Sequence, residues 1–140
     1  MGDEGVRSLS GLHNLQHLPI GEAQVTDAGC RELGRMHQLV YLGLKGNRIT
    51  DAGVAHLQSL TNLTGLNLSG TGVTDRGFRS LGNLRLLERL WIEKTNLSDA
   101  SLPVLTRFQA LRELHCRESS LSAEGLAALQ RAIPNLKVNP

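Results

Sequence analysis

At 140 residues, with 40% hydrophobic and 20% charged side chains, the chain has the size and composition of one folded domain, which excludes a disordered polymer. Its formal net charge of +2 is dispersed with no run of Lys or Arg, which argues against nucleic acid or an anionic lipid surface as the main partner. No 18 consecutive apolar residues are present to cross a membrane as a helix.

Met1-Gly2-Asp3-Glu4 is acidic where a signal peptide carries positive charge, so a cytoplasmic location is expected. Residues 3–12, DEGVRSLSGL, match residues 75–84, DRGFRSLGNL, three periods later in the chain. The chain therefore opens on the helix of a repeat that lacks its strand, and residues 3–14 are predicted to be a capping helix. From Leu15 onward the same leucine returns every 24 residues, at Leu39, Leu63, Leu87 and Leu111, and then at Leu136 after 25.

Each copy begins Leu-x-x-Leu-x-Leu: Leu15/Leu18/Ile20, Leu39/Leu42/Leu44, Leu63/Leu66/Leu68, Leu87/Leu90/Ile92 and Leu111/Leu114/Cys116. Alternation of the last two with polar neighbours marks a short strand buried on one face. Pro19 is tolerable in the first strand only if that strand is an edge. A turn follows, with Ala23, Asn47, Thr71, Thr95 and Ser119 at one position. Next come Thr26-Asp27, Thr50-Asp51, Thr74-Asp75, Ser98-Asp99 and Ser122-Ala123. There the hydroxyl can cap a helix and the Asp suits the positive end of its dipole.

Apolar residues then recur at helical spacing, as in Val54/Leu57/Leu60 and Phe78/Leu81/Leu84. Gly29, Gly53, Gly77 and Gly125 share a helix position with Ser101 in the fourth copy, and suggest that backbone approaches backbone there. Pro103 is expected to distort the fourth helix or delay its start. The five repeats occupy about 15–134, and residues 135–140 are predicted to close the array as a C-terminal strand cap.

Because no unit buries its own apolar face, the repeats must stack as a single domain over 1–140. A strand–helix–parallel strand crossover is right-handed, so the expected architecture is an α/β right-handed solenoid with a concave parallel β-sheet and convex helices. Cys30 and Cys116 lie four repeats apart, roughly 19 Å, too far for a disulfide, and are expected to be free buried thiols suited to a reducing compartment.

The Leu-x-x-Leu-x-Leu core, the Asn or Thr after it, and the Thr-Asp-x-Gly-apolar helix start resemble leucine-rich repeats over residues 3–138. The likeness is greatest to the ribonuclease-inhibitor-like and F-box-associated subclasses and to bacterial proteins with this repeat. The resemblance implies a horseshoe that binds proteins through its concave face. Asn occupies only one of five turn positions, Asn47, where the family's pattern would place an asparagine ladder.

With the leucines inward, three columns face the concave side. The first holds His17, Tyr41, Gly65, Arg89 and Glu113. The central column is Pro19, Gly43, Asn67, Trp91, His115, and the third Gly21, Lys45, Ser69, Glu93, Arg117. Trp, Tyr and Arg most often carry binding energy at interfaces. The protein-binding candidates are therefore Tyr41, Lys45, Asn67, Arg89, Trp91, Glu93, Glu113, His115 and Arg117, with Gly43 and Gly65 leaving space towards Tyr41.

Catalytic, cofactor and metal sites are not expected. His115 and Cys116 are adjacent on a strand and so face opposite sides, the five histidines lack zinc-site spacing, and Ser69-Gly70-Thr71-Gly72 is followed by no Lys-Ser/Thr. The expected function is non-enzymatic binding of a protein or peptide by a monomer. The alternative is a substrate-recruiting subunit of a ubiquitin-ligase-like complex or a bacterial effector, although residues 1–12 are too short for an F-box.

Overall fold

The computed structural model describes residues 1–140. Helix α1 (Gly2–Leu9) leads into β1 (His17–Pro19) and α2 (Asp27–Leu33), then β2 (Tyr41–Gly43) and α3 (Asp51–Ala55). The alternation continues through β3 (Gly65–Asn67), α4 (Asp75–Phe78), β4 (Arg89–Trp91), α5 (Leu102–Leu105), β5 (Glu113–His115), α6 (Ala123–Ala132) and β6 (Lys137–Asn139). Of residues 3–14, expected as a helical cap, only those up to Leu9 are helical, because Ser10 to Gln16 make the turn that enters β1, as the corresponding residues do in later repeats.

The six strands form one parallel sheet in chain order, with each residue paired to the one a repeat later, as in Leu18↔Leu42 and Leu66↔Leu90. The fold is a leucine-rich-repeat solenoid, the sheet on its concave side and the helices on its convex side. Thirty-five buried apolar residues make one continuous core, in which Phe78 and Phe108 pack edge to face at 6.2 Å. Pro19 stands on the edge strand β1, where its missing amide breaks no ladder. The fourth helix starts late, as Pro103 requires: Asp99–Ser101 is a 3-10 turn and α5 begins only at Leu102. The helices α3 and α4 likewise tighten into 3-10 turns over His56–Ser59 and Arg79–Leu81.

Two repeated features do more than their sequence position implies. Thr26, Thr50, Ser98 and Ser122 do cap helices, and Thr74 does not. The five Asp residues at helix starts, Asp3, Asp27, Asp51, Asp75 and Asp99, however, reach forward to the next repeat. Asp51 accepts the Thr74 amide at 2.7 Å and its hydroxyl at 2.5 Å. Asp3, Asp27, Asp75 and Asp99 do the same for Thr26, Thr50, Ser98 and Ser122. The result is a five-rung carboxylate ladder along the solenoid.

The recurrent glycines are explained chiefly by that ladder, with close backbone approach added at Gly53, where a Cβ would also lie 3.1 Å from the Asp27 Cα. A Cβ at Gly29, Gly53, Gly77 or Gly125 would collide with the carboxylate of Asp3, Asp27, Asp51 or Asp99. In the fourth repeat Ser101 fills the same place and donates to Asp75 at 2.5 Å. The closest backbone approach is at Gly34, where a Cβ would strike the His56 carbonyl. No asparagine ladder forms. Asn47 alone bridges two repeats, donating to the Ile20 and Leu44 carbonyls and accepting the Ala23 and Val25 amides. Thr71, Thr95 and Ser119 donate only to a carbonyl three residues back.

Candidate functional site

The sheet brings the central column together at its middle. Register sets Trp91 beside Asn67 on one side and His115 on the other. The Trp91 and His115 rings stack, 9° from parallel with centroids 5.3 Å apart. Tyr41, two strands from Trp91, crosses the intervening strand to meet it edge to face at 6.2 Å. This reach depends on two absent side chains: a Cβ on Gly65 or Gly43 would fall 2.8 Å from the Tyr41 ring or hydroxyl. The expected open space above these glycines is therefore filled by Tyr41 itself.

Three rings thus form a run from β2 to β5, each partly exposed. Polar neighbours hold its far end, since Glu113 Oε2 lies 3.5 Å from His115 Nε2 and Asn139 Nδ2 lies 3.3 Å from Nδ1. Asn67 Oδ1 accepts the Ser69 amide at 3.0 Å, which holds its side chain down against the sheet. Arg89 is exposed in the first column.

The third column opens into a polar groove of about 440 Å³ that Lys45, Glu93 and Arg117 line. Ser69, placed in the same column by the sequence, is buried, and its hydroxyl accepts the Glu93 amide at 3.0 Å, so it is a strut in the groove wall. Glu22, Lys94 and Glu118 complete the rim, with Lys94 and Glu118 3.9 Å apart. Sequence reasoning passed over these three. The signal was present: positions 22, 46, 70, 94 and 118 share one place in the 24-residue period.

His115 and Cys116 diverge as strand geometry demands, the imidazole outward and the thiol 4% exposed in the core. Burial pushes the Cys116 thiol up to about 11 and that of Cys30 to about 12, with nearby carboxylates adding to both. Neither is a thiolate nucleophile at neutral pH. Both are free.

Residues 59–82 match the Leucine Rich repeat family. No curated protein matches the chain. Among solved structures, an internalin C2 from Listeria monocytogenes shares 29% identity with a TM-score of 0.78, covering 96% of this chain and 55% of its own. A leucine-rich-repeat protein of Leptospira interrogans, at 18% identity and a TM-score of 0.57, covers 96% of this chain and 45% of its own, and shares the fold. An internalin of the same Listeria species, at 17% identity and a TM-score of 0.57, likewise shares the fold. The chain thus spans about half the length of the solved structures it matches. Repeat sequence, sheet topology and structural likeness agree: this is a leucine-rich-repeat solenoid whose concave sheet carries an ordered run of aromatic rings.

Proposed function

We propose that the chain is a non-enzymatic recognition module that binds a protein or peptide on its concave sheet, with Tyr41, Trp91 and His115 at the centre and Lys45, Asn67, Arg89, Glu93, Glu113 and Arg117 around them. The observation that carries this reading is the ring run, in which large side chains are already packed and oriented yet still exposed. Rings held by their neighbours lose little further freedom on binding, so more of their contact energy appears as affinity. The match to leucine-rich-repeat proteins, which commonly mediate protein–protein interaction, supports the same reading.

We further infer that the repeats are of the ribonuclease-inhibitor-like or F-box-associated kind, which helices on the convex side support. We also infer a monomer working in the cytoplasm, a reducing compartment that the buried free thiols suit. The test is affinity purification with the wild type and a Tyr41/Trp91/Arg89 triple alanine variant. Partners lost together support the concave site, and an unchanged set of partners overturns it.

A further inference from the structure

We propose that the concave face recognises an acidic segment carrying one bulky apolar or aromatic side chain, an inference that rests on the concave reading above and assigns its ligand chemistry. Two charged columns lie on either side of the rings. Register sets Arg89, Glu113 and Lys137 side by side on β4, β5 and β6. On the other flank the third column carries Lys45, Glu93 and Arg117. Each column thus alternates cation, anion, cation and holds one surplus positive charge.

These charges are not consumed within the fold. The four cations are exposed, and none has a carboxylate oxygen within 4.0 Å, whereas Glu113 turns to His115 and the rim pair Lys94–Glu118 is self-compensating. Glu22 lines the same groove one repeat from Lys45, so with it the groove holds three carboxylates and three cations, and the surplus positive charge of the face lies on the Arg89–Glu113–Lys137 flank. Ring faces alone would also accept a cation. Here an incoming cation would meet surplus positive charge along the Arg89–Glu113–Lys137 flank, while a carboxylate on that side of a seated apolar group would be drawn to it. Tyr41, lying across the glycines and perpendicular to Trp91 at 85°, supplies a floor and a wall for that one bulky group.

The test is selection of a random-peptide library on the wild-type protein, with Trp91→Ala as the counter-selection target. Enriched sequences are expected to carry Phe, Trp, Tyr or Leu with Asp or Glu on one side of it. A synthetic peptide of that type should shift the emission of Trp91, the single tryptophan. Its affinity should fall at least about tenfold with Arg89→Glu/Lys137→Glu, and fall again as salt rises. Both positions are exposed, and circular dichroism of the double variant checks that the fold is kept. Trp91-dependent peptides with neutral or basic flanks would overturn the acidic assignment and leave the concave site standing. A library that yields no sequence requiring Trp91 would overturn both.

Discussion

At position 94 a lysine holds φ at +53°, in the left-handed region that side chains with a Cβ adopt at a cost of about 1–2 kcal/mol. It is one of five equivalent residues, Glu22, Gly46, Gly70, Lys94 and Glu118, all with φ between 52° and 71°. The turn out of each strand needs this conformation to send the chain towards the helix layer, whatever residue stands there. Lys94→Gly should therefore stabilise the fold by up to about 1 kcal/mol, the relief of the Cβ being partly offset by the entropy of glycine in the unfolded chain. Gly70→Ala should destabilise by about 1 kcal/mol through the same φ of +68°, since a Cβ there would meet only ordinary contacts at 3.6 Å and beyond. Urea unfolding of both variants checks the pair, and equal signs would dismiss the conformational account. Trp91 is the opposite kind of residue. Packed against other surface rings and not against the core, it should leave folding within about 1 kcal/mol of wild type when changed to Ala, while partner binding weakens.

Between neighbouring elements the recurring unit is an aspartate, a hydroxyl and a glycine drawn from two consecutive repeats. Asp27 accepts the Thr50 amide at 2.8 Å and its hydroxyl at 2.6 Å, and the carboxylate lies where Gly53 lacks a Cβ. Asp27→Ala removes two charge-assisted hydrogen bonds, and Gly53→Ala pushes a methyl against the carboxylate; each should cost about 1–2 kcal/mol. If one packing arrangement underlies both losses, the double variant will be more stable than their sum by about 1 kcal/mol. Removing the carboxylate leaves Ile49 Cγ2 at 3.0 Å and the residue 27 Cα at 3.1 Å as the nearest obstacles to the new methyl, which small shifts accommodate. Strict additivity in a thermal or urea cycle would show that the glycine serves another purpose.

Summed along the solenoid, the rungs give the whole molecule an acid limit. Burial tends to raise the carboxyls of Asp3 and Asp75, but hydrogen bonds from Thr26 and from Ser101 and Ser98 outweigh it and hold both below the usual value of 3.8. Asp99 is lowered chiefly by the Ser122 hydroxyl and amide. A carboxylate depressed in the folded state contributes stability that is complete above its unfolded pKa and is lost as pH falls through the folded one. This contribution should therefore stay level from neutral pH down to about pH 5 and decline below about pH 4, as read from urea midpoints across that range. Replacing Asp3 and Asp75 by Asn should flatten the decline. Since each repeat packs chiefly against its neighbours, amide exchange should be slowest in β2 to β4 and faster in α1 and β6, the outermost elements.

Periodicity was enough to read the scaffold. Leucine spacing, the hydroxyl before each helix, Pro19 at an edge and Pro103 delaying a helix are statements about short stretches of chain, where side-chain alternation and backbone hydrogen bonding act locally. The same reasoning put Tyr41, Trp91 and His115 on one face, because strand alternation settles which side a residue occupies. What only the stacked repeats decided are relations between residues about one period or more apart in sequence. Asp3 reaches Thr26, Tyr41 lies down across Gly65, and His115 closes on Trp91. Those contacts arise when parallel strands bring successive columns side by side, and the space each side chain finds there is set by its neighbours' size, which no single repeat contains.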